Sequence, residues 1–312
     1  MANKKDQKVT NSKNSKSTTL YAFVVAILLV VALISGRVST EQSGQSGGLA
    51  ASDAPFQVHV MDVGQGDSVL VIVDGHAMLI DGSVSKASSK IISYLESQNI
   101  TELEYVAATH LHADHIGGLP KVIEAYPPKQ VVESICPDKL LPVTNTYEHY
   151  LDAVEASGAE YLALSAGDEF QLGGALVTVL APVSEDADDL NNTSLVLKIE
   201  YGDCTCIFTG DMEAEEEETI LSGAYDLRAD FLKVGHHGSS TSSSEAFLAA
   251  VQPDYAAISC GVDNSYGHPH AETLEKLKGY TDNVYVTAEE GDIVFLYDAA
   301  TNQSQIVTAN AE

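Results

Sequence analysis

Downstream of residue 55 the apolar positions recur in short runs with a period of two, interleaved with stretches whose period is closer to 3.6. Residues 56–61 alternate, 69–73 form a β-branched run, and 77–80 end at Asp81-Gly82, so each predicts a strand. The segments 105–109, 131–133, 175–181, 194–201, 204–209, 231–234 and 255–260 extend the series. Helices are expected over 90–98, 118–125 and 147–156, after Asp211, over 245–251, and from about Glu272. Ser242, with Glu245 three residues later, reads as a capping box for the helix over 245–251. Glu213, Glu215 and Glu216 fall where the helix dipole favours acidic groups, so they read as a first turn and a solvated face. Periodicity alone supports an α/β protein in one domain. Two sets of mostly antiparallel strands, each with helices beyond it, describe a four-layer αββα sandwich.

The first forty residues break this pattern. Residues 20–34 (LYAFVVAILLVVALI) contain no charged or strongly polar residue. With Thr18, Thr19, Ser35 and Gly36 the run approaches the roughly 20 residues that cross a bilayer. Lys4, Lys5, Lys8, Lys13 and Lys16 precede it and a single Arg37 follows, so the positive-inside rule keeps the N-terminus cytoplasmic and the rest outside. A cleaved signal segment, leaving a secreted domain, is the alternative. The expected organisation is a basic cytoplasmic tail over 1–17, a transmembrane anchor or signal segment over 18–36, a Ser/Gly-rich flexible linker over 37–54, and one folded domain over 55–312.

Composition adds little beyond an ordinary globular profile, with 45% hydrophobic residues and no Trp. Charge adds more. Of the 16 basic and 45 acidic residues, the first 37 hold six and one, leaving 10 basic against 44 acidic beyond them, a net charge of −34. Such a domain repels polyanions unless its site is locally positive. Cys136, Cys204, Cys206 and Cys260 lack zinc-ribbon spacing and read as core residues. No Gly-x-Ser-x-Gly elbow is present, so the serine-rich stretch around Ser242 reads as cap and turn rather than nucleophile.

The chemistry concentrates at Thr109-His110-Leu111-His112-Ala113-Asp114-His115. Three histidines and an aspartate leave the end of a predicted strand together, and mixed imidazole and carboxylate ligands suit Zn²⁺, Mn²⁺ or Fe. Further candidates fall at other predicted strand ends: Asp211 after Thr209-Gly210, the pair His236-His237, and His268. Loops at such ends gather around one cleft, so these positions converge where each alone is weak.

This constellation resembles the metallo-β-lactamase superfamily. More closely, it is similar to the extracellular metallo-β-lactamase-like domain of the ComEC/Rec-two competence family. The matching stretches are HVMDVGQGDS (59–68), LIDGS (79–83), THLHADHIGG (109–118), NNTSLVLKIEYGDCTCIFTGDME (191–213), LKVGHHGSSTSSS (232–244) and YGHPH (266–270). The resemblance implies two divalent transition-metal ions, zinc or manganese. His110 and His112 would hold the first, Asp114 and His115 the second, and Asp211 would bridge them. His237 would join the second ion, with His236 in reserve, and Asp81 would orient a ligand histidine from the second shell. The superfamily usually places another histidine about twenty residues before the bridging aspartate. Here Asn191 and Asn192 stand instead, as asparagine does in the competence family, and the first ion would be held less completely. That family also embeds the domain in a many-helix DNA channel, a role not expected of a chain with one candidate span.

The expected activity is phosphodiester hydrolysis outside the cytoplasmic membrane by a metal-activated hydroxide. Asp114 would orient the hydroxide, and His268, with His236 as alternate, would bind the phosphoryl oxygen or protonate the leaving group. DNA and a cell-wall phosphodiester are the candidate substrates, and the N-terminal helix would hold the protein to the membrane. Hydrolysis of a lactone, a β-lactam or a wall-polymer ester stays open, as does a non-catalytic envelope-binding module.

Overall fold

The computed structural model describes residues 54–183 and 186–310, all within one compact unit. The basic tail, the apolar run and nearly all of the linker lie outside the described residues. Among the described residues no helix is long and apolar enough to cross a membrane.

The period-two segments pair into two sheets. The first is built from β1 (Phe56–Val60), β2 (Val69–Val73), β3 (His76–Ile80), β4 (Tyr105–Ala108), β5 (Gln130–Ser134) and β6 (Glu160–Leu164). The second takes β7 (Glu169–Leu172), β8 (Ala175–Ala181), β9 (Val196–Tyr201), β10 (Cys204–Phe208), β11 (Phe231–Lys233), β12 (Tyr255–Ile258) and β13 (Val284–Val286). The chain then returns to the first sheet with β14 (Ile293–Asp298) and β15 (Gln303–Thr308). Strand orders are β15-β14-β1-β2-β3-β4-β5-β6 and β13-β12-β11-β10-β9-β8-β7.

The expectation of mostly antiparallel sheets needs correcting. Only the hairpin halves are antiparallel. β3 through β6, and β10 through β13, are parallel neighbours, because those strands are joined by helical crossovers rather than tight turns. The crossovers of the first sheet carry α1 (Ser88–Ser97), α2 (Ala113–Ile116), α3 (Leu119–Ala125) and α4 (Asn145–Ser157). Those of the second carry α5 (Ala214–Leu221), α6 (Glu245–Val251) and α7 (Ala271–Lys278), and the short α8 (Thr287–Glu290) follows β13.

Alternation along the strands explains the layers. In β1 and β2, Phe56, Val58, Val60, Val71 and Val73 face the second sheet, whose Cys204, Cys206, Phe208 and Phe231 meet them in the central core. Leu70 and Ile72 point the other way, with Leu79 and Val106, onto Ile91, Leu95, Leu119 and Tyr150 of the helices. Ile207 and Leu232 pack outward on Phe247, Leu248 and Leu277. Three apolar clusters between four layers give the αββα sandwich. Cys204, Cys206 and Cys260 are buried and free, and Cys136 is half-buried and free.

One cap differs from its expected position. Ser244, not Ser242, caps α6, accepting a hydrogen bond from the Phe247 N–H at 3.2 Å. The Ser242 hydroxyl instead donates to the Met212 carbonyl at 2.7 Å, because the chain enters the helix two residues later than the Ser-x-x-Glu spacing suggests.

Candidate metal centre

Both sheets aim the C-terminal ends of their middle strands at one cleft. Asp81 follows β3, Thr109 and His110 follow β4, Asp211 follows β10, and His236-His237 follow β11. His268 is the exception to its expected place: it lies ten residues beyond the end of β12, in the loop leading to α7. The backbone around the cleft is forced. Asp81, His236 and His237 all sit at positive φ (59°, 49° and 55°), where a residue with a side chain is held at a cost of order 1–3 kcal/mol. Gly210 has φ 51°, and a Cβ there would lie 2.9 Å from both Ser194 Oγ and Thr109 Cβ, so only glycine lets Asp211 reach in.

The Thr109–His115 segment turns from β4 into the single-turn helix α2. Asp81 organises it. Its Oδ1 accepts the Thr109 N–H at 2.8 Å, and its Oδ2 accepts the Thr109 hydroxyl and the His115 Nδ1, both at 2.7 Å. That bond fixes the proton of His115 on Nδ1 and turns Nε2 inward, 3.2 Å from Asp211 Oδ1. His110 Nε2 lies 2.9 Å from His112 Nδ1 and 3.9 Å from Asp211 Oδ2. His237 donates from Nδ1 to the Ser259 carbonyl at 3.0 Å, and its Nε2 lies 3.5 Å from both Asp114 Oδ2 and Asp211 Oδ2.

Three inward atoms, His115 Nε2, His237 Nε2 and Asp211 Oδ1, are buried without any hydrogen bond. Leaving such atoms unsatisfied costs about 1–3 kcal/mol each. Ligand atoms of His110, His115 and Asp211 lie within 4.8 Å of one another, as do those of Asp114, His115 and His237. The donors therefore fit two divalent cations sharing Asp211.

The electrostatics make the same demand. Burial opposes charge on His115, but Asp211 and Asp81 outweigh it and push its pKa well above the usual imidazole range. Burial likewise opposes charge on His237, which Asp211 and Asp67 raise to about 10. Burial resists the Asp211 anion, yet His115 and His237 hold its carboxyl well below the usual range. The carboxylates call for positive charge in a pocket that water barely reaches. His110, by contrast, is pushed well below the usual range by burial and by the charge of His115.

The cleft, of about 210 Å³, is lined by Gln65, His112, Asp114, Asn191, Asp211, His236, His237, Tyr266 and His268. His268 stacks under Tyr266 with ring centroids 5.6 Å apart, and burial with the charges of His237 and His236 lowers its pKa to about 4. His270 faces away and accepts the Ser240 N–H at 2.9 Å. Asn191 faces the cleft, whereas Asn192 accepts the Glu213 N–H through Oδ1 at 3.1 Å and donates to Asp189.

Two neighbours of the centre have no counterpart among the sequence expectations. Asp67, on the β1–β2 loop, is buried with Oδ2 2.7 Å from Lys233 Nζ and Oδ1 3.3 Å from His237 Nδ1. Glu213 starts α5, as its acidic neighbourhood suggests, but its carboxylate turns into the site instead of facing solvent. Asp67 lies within the family-like stretch HVMDVGQGDS, but nothing local marks its role, because its cationic partner lies 166 residues away.

The model of the metallo-beta-lactamase superfamily matches residues 61–262. ComE operon protein 3 of Bacillus subtilis (strain 168) is 30% identical over 307 residues, covering 89% of this chain and 39% of that protein. Recombination protein 2 of Haemophilus influenzae is 33% identical over 247 residues, covering 78% of this chain and 29% of that protein. The chain thus spans well under half the length of these relatives. Among solved structures, the CmlA beta-hydroxylase E377D mutant superposes with a TM-score of 0.52 at 9% identity, over 80% of this chain and 55% of that one, a likeness of fold alone.

Proposed function

Because the chain belongs to the metallo-β-lactamase superfamily, we propose that it is a two-metal phosphodiesterase whose folded domain works outside the cytoplasmic membrane. The carrying observation is Asp211, whose Oδ1 faces His115 and whose Oδ2 faces His110 and His237 across a buried gap lined by unsatisfied ligand atoms. His110, His112 and Asp211 would hold one ion, and Asp114, His115, His237 and Asp211 the other. When bound, such a pair polarises a phosphoryl oxygen and lowers the pKa of water, the chemistry an in-line phosphodiester displacement needs. Asp114, with a side chain 30% exposed to the cleft, orients the attacking water as a hydrogen-bond acceptor. His268 stands at the mouth, where its neutral ring can donate a hydrogen bond to the phosphoryl oxygen. Asp81 keeps His115 in the tautomer that presents Nε2 inward.

Relatives named as a ComE operon protein and a recombination protein support DNA as the phosphodiester. A second reading is a wall-polymer diester; among the described residues no lysine or arginine lines the cleft of this acidic domain, which removes the usual attraction for a long DNA strand. Initial rates on bis(p-nitrophenyl) phosphate, single-stranded DNA, a chromogenic lactone and a chromogenic β-lactam, with Mn²⁺ or Zn²⁺ supplied, test the class. Turnover of the diesters and not the others is expected. Lactone or β-lactam turnover with inert diesters would remove the phosphodiesterase reading.

The location rests on the lysine-rich tail and the apolar run over 20–34. Protease added to intact protoplasts should digest residues beyond 54 and spare the tail; protection of the domain would reverse the orientation.

A further inference from the structure

The two halves of the centre are unequally supplied. The Asp114–His115 half gains a further imidazole from His237, whereas His110 gathers only Asp211 and His115, and His115 already serves the other half. Asn191 is the residue that faces this half from β9's approach, and its Oδ1 is buried without a partner.

The histidine next to His237 answers the shortfall. His236 also sits in the left-handed region, and consecutive positive φ values splay the two rings apart, 6.1 Å between centroids. His236 Nε2 comes within 3.8 Å of Asp211 Oδ2, the oxygen that His110 Nε2 approaches at 3.9 Å and His237 Nε2 at 3.5 Å, and it lines the same cleft as His112. On the far side of the ring, Nδ1 is 3.2 Å from Glu213 Oε1 and 3.2 Å from Thr241 Oγ1. The same Glu213 oxygen accepts the Thr241 hydroxyl at 3.0 Å and the Asn191 amide at 3.1 Å. A carboxylate behind Nδ1 with Nε2 turned to a gap is how ligand imidazoles are oriented.

We propose that the paired histidines after β11 serve both halves of the centre: His237 completes the Asp114–His115 half, and His236, oriented by Glu213, is the third imidazole of the His110–His112 half. Glu213 is then a positioning residue rather than a helix-capping or solvated one. The proposal rests on the two-ion reading given above and assigns one further ligand within it.

Metal binding to the full chain, read by calorimetric titration with Mn²⁺ and by the visible absorption of bound Co²⁺, tests it. Wild type should take up two ions. His236→Ala should weaken one of the two steps at least tenfold and leave the other unchanged, with a changed Co²⁺ spectrum. Glu213→Gln, which removes no ligand, should weaken the same step by roughly ten- to a hundredfold. His236→Ala combined with Asn191→His should regain much of the lost step, because residue 191 faces the same half. Two ions bound by His236→Ala with wild-type affinities would overturn the assignment and leave the two-ion reading standing, with His236 a substrate contact. Fewer than two ions in wild type would overturn both.

Discussion

Lys233 is the residue on which the buried side of the centre leans. Its ammonium, 1% exposed, meets Asp67 at 2.7 Å and the Val234 carbonyl at 3.1 Å, and Asp67 in turn faces His237. Removing one member of a buried pair strands the other, at about 3–5 kcal/mol. Lys233→Met should therefore lower the Tm by roughly 10 °C in a thermal scan, taking about 2–4 °C per kcal/mol for a domain of this size. A Tm within a degree or two of wild type would show that Asp67 does not depend on Lys233. The contrast with the His110–His115 cluster explains what could be read in the chain. Four ligand-type residues within six positions announce themselves because the turn after one strand brings them together. Asp67 and Lys233 are partners only through the tertiary fold. Glu213 is harder still, since an acidic residue before a helix has an adequate local explanation and gives no hint of His236.

Elements join through a few polar contacts as well as the apolar layers. His59 ties β1 to α1, with Nδ1 2.9 Å from the Tyr94 hydroxyl and Nε2 3.0 Å from Gln57 Oε1. Burial lowers its pKa to about 4. A folded-state value below the unfolded imidazole means that the unfolded chain binds the extra proton between pH 6.5 and 4. Stability is then intact above pH 6.5 and falls with pH through that window, by about 3 kcal/mol at the bottom of it. Urea melts of wild type and His59→Gln at pH 7.0 and 4.5 should show the wild type losing more by about 2 kcal/mol; equal losses would contradict this. At this scale the strands with β-branched runs were legible, and the parallel pairing was not. Period two marks a strand but carries no direction, so β3–β6 and β10–β13 needed the helical crossovers to be seen as parallel. β14 shows the other limit: IVFLYD is buried beside β1, yet it follows the last helix and has no ligand or turn signal pointing back to the first sheet.

Across the whole molecule, charge and site pull in opposite directions. The region beyond residue 37 carries a net −34, and among the described residues the cleft supplies imidazoles but no lysine or arginine. Most DNA-binding proteins lose affinity steeply as salt rises because they release counterions. Here added salt should instead remove repulsion, since the Debye length falls from about 30 Å at 0.01 M to about 10 Å at 0.1 M. Cleavage of long single-stranded DNA at subsaturating concentration should hold steady or rise across that range, with bis(p-nitrophenyl) phosphate nearly unaffected. A tenfold drop for DNA alone would reveal a cationic groove and strengthen the nucleic-acid reading over the wall-polymer one.

A pair of ions shared by Asp211 is tested most directly by the rate of bis(p-nitrophenyl) phosphate hydrolysis as metal is returned to chelator-stripped protein. The rate should start near zero, rise with Mn²⁺ or Zn²⁺ and level off at two equivalents per chain. It should stay near zero in Asp211→Asn and His112→Ala at the same metal concentrations. Undiminished hydrolysis by the stripped protein, or full activity in Asp211→Asn, would contradict the account.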